Sequence, residues 1–294
     1  MADREIDGRT AVYGLMGDPV EHTLSPAIHN TMADLTGLNL AYLPFHVPAG
    51  SDMGQVLKGA HALGIRGMNV TVPHKQAVMP FLTGISPEAR AAGAVNTLVR
   101  TEDGYEGFNT DVQGLSENIK RAGASLTGRK VVLIGAGGAA RAAAYLCGRD
   151  GAERLYIVNR TRENAERLKK EVLGTWPDLA AQVISLSDLS ALGDRDLIAI
   201  QCTSVGLWPA ADRTPVTDPA FYARLTHAFD SIYRPEKTLF MKMAEEAGAR
   251  STGGLGMLVW QGLKAFEIWT GIRADQDMAE KVQERLEALL KAEA

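Results

Sequence analysis

The sequence predicts an α/β protein of two domains, and three observations carry that prediction. Short apolar runs alternate with stretches of helical periodicity along nearly the whole chain. The alternation runs once up to about Asp111 and then restarts at Lys130. At the restart, a strand-like run and a helix-like run are joined by a glycine-rich turn, which is how parallel α/β units begin. A length of 294 residues accommodates two ordinary domains, each with a sizeable core.

In order, residues 11–15 read as a short strand running into Gly17-Asp-Pro-Val-Glu-His-Thr-Leu-Ser-Pro-Ala-Ile-His-Asn30. Ser25 followed by Pro26 is a helix-start signature, with Ser as N-cap and Pro at the first helical position, where its missing N–H costs nothing. That helix is expected to stop at Gly37. Strands at 40–47 and 67–72 flank a helix at 52–63. Gly107-Phe-Asn-Thr-Asp111 and the helix after it form the expected crossover to the second domain. There, strands are expected at 131–134, 154–158, 183–186, 197–200 and 227–233, and helices at 139–146, 161–173 and 237–247. The Pro- and Asp-rich segment 206–219 reads as a surface loop. A helix follows at 257–270. The last helix carries Met278, Val282, Leu286 and Leu290 at one-turn spacing between charged residues. That stripe most simply packs on its own domain, and a homodimer contact is the alternative use. No internal repeat interrupts this plan.

Composition excludes several classes of function. With 46% hydrophobic and 22% charged residues the chain is a soluble globular protein rather than a disordered one. A net charge of −4 gives no overall attraction for nucleic acid or an anionic membrane, so an anionic ligand must be held by local groups. Cys147 and Cys202 suggest neither a disulfide nor a metal, and read as reduced core thiols of a cytoplasmic protein. The six histidines show no metal-ligand spacing, so no metal site is expected. The charged start Met-Ala-Asp-Arg-Glu leads into no apolar run, so no signal peptide is expected. No apolar run is long enough to span a membrane.

The glycine-rich turn has the pattern Gly135-Ala136-Gly137-Gly138-Ala139-Ala140. Gly135 suits a tight turn, Gly137 lets backbone approach a pyrophosphate, and a small Ala140 lets the helix lie close on the strand. The helix start then offers free N–H groups and its positive dipole end. About twenty residues on, an NAD-binding unit would carry an acid for the ribose hydroxyls. Here the strand ends in Asn159-Arg160-Thr161. Arg160 can pair with a 2′-phosphate, so the pattern argues for NADP over NAD.

Three polar constellations lie elsewhere. Thr23 and Ser25 place two hydroxyls at a helix start, an arrangement suited to a carboxylate. Lys75 follows the strand Asn69-Val-Thr-Val-Pro-His on a turn, where an ammonium can project. Asn96 and Asp111 are polar residues in or beside apolar stretches, where they must find partners.

At these residues the chain resembles the shikimate dehydrogenase family. The motifs are those already quoted for residues 17–30, 69–75 and 135–140, with Gly93-Ala-Val-Asn-Thr97, Asn109-Thr-Asp111, Asn159-Arg-Thr161 and Gly256-Met-Leu-Val-Trp-Gln261, in family order. The resemblance implies a substrate domain at 1–112, a Rossmann NADP domain at 113–255, and C-terminal helices at 256–294 returning to the first domain. It implies reversible, NADP-dependent reduction of 3-dehydroshikimate to shikimate, with Lys75 and Asp111 flanking the reacting oxygen. Thr23 and Ser25 would hold the carboxylate, and Thr71, Asn96 and Gln261 the ring hydroxyls. Tyr233 and Gly254 match positions near the substrate and nicotinamide. Two departures stand out. The family usually has Ser where this chain has Thr23, which bears on quinate or aminoshikimate as alternative substrates. A second family arginine is replaced by Asn164, leaving Arg162 to share the phosphate. A module that binds NADP without catalysis is the remaining alternative, and the presence of Lys75 and Asp111 weighs against it.

Overall fold

In the computed structural model, which describes residues 5–292, the chain divides into two compact units. The first comprises residues up to Gly114 together with those from Val259 onward, and the second is Leu115–Leu258. Residues 1–4 of the charged N-terminus, read above for a signal sequence, lie outside the described residues.

The first unit begins β1 (Ala11–Gly17), α1 (Ser25–Thr36), β2 (Leu40–His46), α2 (Met53–Ala62) and β3 (Gly67–Val70). β1 pairs in parallel with both β2 and β3, and the two helices are the crossovers that parallel pairing requires. Asp52 caps α2, its side chain accepting the Gln55 N–H. β3 ends at Val70, two residues short of the expected boundary. Pro73 has no N–H to extend a ladder, and the His74 N–H turns back to Thr71 O at 2.9 Å. β4 (Gly84–Ile85), α3 (Pro87–Ala92), β5 (Thr97–Arg100) and β6 (Tyr105–Phe108) complete a mixed sheet of order β2-β1-β3-β5-β6-β4. β5 runs antiparallel to both of its neighbours. α4 (Asp111–Arg121) then leaves the sheet.

The second unit is β7 (Lys130–Ile134), α5 (Gly138–Arg149), β8 (Arg154–Val158), α6 (Arg162–Thr175), β9 (Ala180–Val183), β10 (Leu197–Gln201), α7 (Pro219–Tyr222), β11 (Leu225–Asp230), α8 (Leu239–Glu246) and β12 (Arg250–Thr252). All pairings are parallel and the order is β12-β11-β10-β7-β8-β9, the doubly wound arrangement. β7, β8 and β10 are buried along almost their whole length because helices cover both faces. Two boundaries differ from expectation. β9 precedes the expected 183–186 strand, since it is an edge strand held only by β8 and carries little apolar signal. β11 stops at Asp230 rather than 233, because the Asp230 carboxylate takes the Ile232 N–H and breaks the ladder. β12, a short polar edge, had no sequence signal.

α9 (Leu255–Thr270) and α10 (Gln276–Ala292) end the described chain. Trp269 of α9 belongs to the first unit, donating its Nε1–H to Leu98 O of β5 at 2.9 Å. α10 packs along α1 with Ala279, Val282 and Leu286 buried. The apolar stripe is thus largely spent within the chain, and a homodimer contact would need a different surface.

Two helix glycines respond oppositely to a methyl group. A Cβ on Gly148 of α5 would lie 2.2 Å from Cδ1 of the Trp176 ring, whereas Gly174 of α6 has nothing within 4 Å. Gly174→Ala should raise stability by about 0.5–1 kcal/mol through helix propensity. Gly148→Ala should lower it by about 1–3 kcal/mol, because overpacking outweighs propensity. Urea unfolding of the two variants checks both signs.

Candidate active site

The site of the first unit is assembled after the C-terminal ends of its strands. Beyond β3 the chain turns through residues 71–78, pinned by His74, whose Nε2 bonds to Val47 O at 2.7 Å. That turn presents Lys75, whose Nζ donates to Asp111 Oδ2 at 2.6 Å. Asp111 is the first residue of α4, where a carboxylate meets the positive end of the helix dipole. The side chains are 15% and 7% exposed, too dry for salt to screen the pair effectively.

The other Asp111 oxygen accepts from Asn96 Nδ2 at 2.9 Å. Asn96 Oδ1 in turn accepts from the Thr110 N–H at 2.7 Å and from Thr97 Oγ1 at 3.1 Å. Behind them lies Asn69, whose Nδ2 donates to Asn96 O and to Thr97 Oγ1, both at 3.1 Å. Its Oδ1 accepts from the Tyr42 hydroxyl at 2.7 Å and from His29 Nε2 at 3.1 Å. The Asn96 carbonyl can only accept, which fixes the way the Asn69 amide faces and puts the His29 proton on Nε2. His29 Nδ1 is buried with no partner. Burial pushes the His29 pKa down to about 3, although the Asn69 bond favours the charged form. The ring stacks on Tyr42 at 4.2 Å between centroids. Burial raises the Tyr42 phenol well above its usual value, and a hydrogen bond from Ser25 opposes the shift.

The structure brings Lys75, Asp111 and Asn96 together. Ser25, however, is not the N-cap. Leu24 occupies that position in helical conformation with no side-chain cap, and Pro26 serves the first turn one place later than expected. Thr23 Oγ1 instead accepts the Ser25 N–H and donates to Ser25 Oγ, both at 3.2 Å. Thr71 packs its methyl group 2.2 Å from where a Cβ on Gly17 would lie, so only glycine fits at the end of β1. Gln261 is buried on α9 within the same unit. The sequence reading assigned no role to Tyr42, His29, Asn69, Thr97 or Thr110. The available signal was an asparagine in the middle of the apolar run that became β3.

In the second unit, Gly135 adopts φ +121°, and a Cβ there would meet Cys202 O at 3.0 Å. Gly137 holds the cap position of α5 with no side-chain cap, and Ala140 is fully buried. That cradle fits a pyrophosphate, with Gly138 and Ala139 in the first turn. Asn159 Nδ2 donates to Thr161 O at 2.9 Å, bracing the turn that carries Arg160. Arg160 is exposed, and among the described residues no carboxylate pairs with it, which leaves it for a phosphate. Arg162 pairs with Glu166 at 3.4 Å, while Asn164 Oδ1 accepts from Arg167 at 3.2 Å. At the end of β11, Asp230 accepts from the Ile232 N–H at 2.9 Å and from Thr238 Oγ1 at 2.7 Å; burial pushes its pKa up to about 6. The Gly254 N–H bonds to Ile232 O at 2.9 Å, and a Cβ on Gly254 would lie 2.2 Å from Ser231 O. The segment leading to Tyr233 therefore requires glycine at 254. Among the described residues no three His, Cys, Asp or Glu side chains form a metal-binding group.

The chain is similar to known proteins over most of its length. Family models described as the shikimate dehydrogenase substrate binding domain, shikimate / quinate 5-dehydrogenase and the shikimate 5′-dehydrogenase C-terminal domain match residues 15–98, 117–206 and 254–282. The shikimate dehydrogenase (NADP(+)) of Methanopyrus kandleri is 42% identical over 287 residues, spanning 96% of this chain and 98% of that protein. That of Carboxydothermus hydrogenoformans is 40% identical over 273 residues, spanning 91% and 94%. The crystal structure of shikimate 5-dehydrogenase from Thermus thermophilus in complex with NADP(H) and shikimate matches with a TM-score of 0.79. Its identity is 34%, across 94% of this chain and 99% of that one.

The buried titratable groups make stability depend on pH. His29, at about 3, stays neutral while the unfolded chain takes up a proton below about 6.5, so its contribution is lost as pH falls. His227, lowered by burial to about 4, acts in the same direction. Asp230, at about 6, holds its proton in the folded state and acts oppositely between about 6 and 4. His227 and Asp230 offset each other, leaving His29 to dominate. Urea unfolding between pH 6 and 4.5 should lose up to ~1.4 kcal/mol per pH unit, and His29→Gln, which keeps a donor amide, should flatten that slope.

Proposed function

The chain belongs to the shikimate dehydrogenase family, and we propose that it works through an acid–base pair of Lys75 and Asp111. It is an NADP-dependent oxidoreductase that interconverts 3-dehydroshikimate and shikimate. The observation that carries the residue assignment is the 2.6 Å contact between Lys75 Nζ and a carboxylate fixed at both oxygens.

NADPH, when bound, supplies the hydride. As the ketone is reduced, negative charge develops on its oxygen, and a cationic donor within about 3 Å both stabilises and protonates it. The Lys75 ammonium fills that role. Asp111 holds it in place, and Asn96 keeps the carboxylate from rotating away. In the oxidative direction the same Nζ, as the neutral amine, accepts the hydroxyl proton. Thr23 and Ser25 hold the substrate carboxylate, while Thr71, Asn96 and Gln261 hold ring hydroxyls. Tyr233 stands near the substrate and Gly254 near the nicotinamide. The backbone of Gly135, Ala136, Gly137, Gly138 and Ala139 cradles the pyrophosphate, and Asn159, Arg160 and Thr161 take the 2′-phosphorylated ribose. On this reading residues 1–112 form the substrate domain, 113–255 the NADP domain, and 256–294 the helices returning to the first. We place the enzyme in the cytoplasm. Cys147 and Cys202 form no disulfide, and no described helix is long and apolar enough to cross a membrane.

Lys75→Ala should lower kcat about 10²–10⁴-fold with a smaller change in KM, as expected for loss of a general acid; turnover near wild type would remove Lys75 from proton transfer. Thr23→Val should chiefly raise the KM for shikimate, because a carboxylate contact remote from the reacting carbon is largely uniform binding. Arg160→Gln should raise the KM for NADP+ roughly tenfold or more while sparing NAD+, since charge-assisted bonds to a phosphate are worth about 1.5–3 kcal/mol. Steady-state NADPH absorbance assays with both cofactors distinguish these outcomes.

A further inference from the structure

Gln201 is the last residue of β10, and its side chain is fully buried. A buried amide needs partners, and this one finds them in the loop that follows. Its Nε2 donates to Thr203 O and to Val205 O, both at 3.2 Å, and lies 3.4 Å from Asp230 Oδ1 of β11. Its Oε1 accepts the Thr203 N–H. The two carbonyls can only accept, which fixes the way the amide faces. Thr203 Oγ1 closes the turn by accepting the Val205 N–H at 3.2 Å. Residues 202–205 are therefore wound around one buried amide.

That loop stands against the glycine-rich turn. The Cys202 N–H donates to Ile134 O at 2.8 Å, and a Cβ on Gly135 would lie 3.0 Å from Cys202 O and 3.3 Å from Thr203 Cγ2. β7 and β10 are the neighbours at which the strand order reverses, so the loops after them line the crevice where a dinucleotide lies. We propose that Gln201 is a positioning residue for the cofactor, its amide holding residues 202–205 as the second wall of that crevice, opposite the glycine-rich turn. The side chain is fully buried and offers a ligand no surface of its own. Thr203 is half-buried and Val205 exposed, so water can replace the loop's bonds when the amide is removed. Loss of Gln201 thus frees the loop rather than unfolding the domain, and the cofactor must select the ordered form. A loop ordered about a tenth of the time weakens apparent affinity about tenfold. This role rests on the reading that the Gly135–Ala139 turn cradles the pyrophosphate.

The test measures Kd for NADP+ and NAD+ by calorimetric titration, and KM and kcat for shikimate at saturating NADP+. Gln201→Met keeps the length of the side chain and removes the amide. It should weaken NADP+ and NAD+ by the same factor, about tenfold, because the loop faces the part that both share. The KM for shikimate should stay within about twofold of wild type. Gln201→Glu, nearly isosteric, serves if Gln201→Met fails to fold. As a neutral acid it keeps one donor; once ionised it turns oxygen on Thr203 O, Val205 O and the Asp230 carboxylate. Burial and Asp230 raise its titration, so its NADP+ Kd relative to wild type should rise from about pH 6 to about pH 8. Gly137→Ala is the control on the cradle, since its Cβ meets nothing of the protein within 4 Å, at an ordinary φ of −83°, yet obstructs a pyrophosphate. If Gly137→Ala weakens both cofactors while both Gln201 variants bind them within about twofold of wild type, the positioning role is overturned and the cradle stands. Unchanged binding in Gly137→Ala overturns the cradle, and the role of Gln201 with it. Weakening confined to NADP+ also overturns the role, because it places the effect at the 2′-phosphate. So does an equal rise in the KM for shikimate, which is what a general loss of structure gives.

Discussion

A carboxylate buried at the first turn of a helix cannot stand alone, and much of the first unit answers to that constraint. Asp111 is 5% exposed as a residue, and leaving it without a cationic partner would cost on the order of 3–5 kcal/mol. Lys75 meets the need on one oxygen, which is why the turn after β3 must be held firmly. Asn96 meets it on the other. Asn96, being buried, must then be satisfied by Thr97 and Thr110, and Asn69 satisfies the Asn96 carbonyl. The network depends on strand register. β3 and β5 are antiparallel with Asn69 opposite Thr97, and a slip of one residue would turn Asn69 to the other face of the sheet.

The second unit answers to a different constraint, the reversal of strand order. β7 and β10 are neighbours from which the sheet winds outward in both directions, so the loops after them diverge and leave a crevice. Gly135 and Cys202 stand on the two sides of that divergence. A Cβ on Gly135 would lie 3.0 Å from the Cys202 carbonyl oxygen, and its φ of +121° is one that glycine adopts without strain. Continuous burial of β7, β8 and β10 makes this frame stiff, and the exposed Arg160 stands at the end of one of those buried strands. The Lys75–Asp111 pair depends on polar satisfaction, whereas the glycine-rich turn depends on small residues and backbone shape.

This difference explains what was legible in the sequence. Val131 to Ile134 and the glycines after them announced strand, turn and helix, because backbone shape and burial leave a local signature. β8 was read to its exact ends for the same reason. β9 and β12 were misplaced or missed, since edge strands with one neighbour need few apolar residues. Ser25 looked like a cap because a Ser-Pro pair fits either of two adjacent positions, and only the helical backbone at Leu24 separates them. Lys75 and Asp111 are 36 residues apart, and composition alone makes Lys75 an ordinary surface charge; their places at a turn and beside an apolar stretch marked them, the family motifs gave them a role, and their contact is a tertiary fact. Tyr42 was the least legible. Nothing in a strand sequence distinguishes a tyrosine that fills a core from one whose hydroxyl joins a network.

The network that joins Tyr42 and His29 to Asn69, Thr97 and Asn96 is built from neutral groups, and that choice has a physical reason. A charge at its centre would lie in a buried region where ions are costly. Neutral hydroxyls and amides satisfy one another there without placing a full charge in the interior. His29 is the one member that could acquire a charge near neutral pH, and burial holds it neutral down to about pH 3. Its stacking on Tyr42 and its tilted contact with Trp269 at 5.0 Å help to exclude water from the ring. The full charges are then confined to the ion pair of Lys75 and Asp111. The groups behind the pair stay neutral, so they can hold it without competing with it.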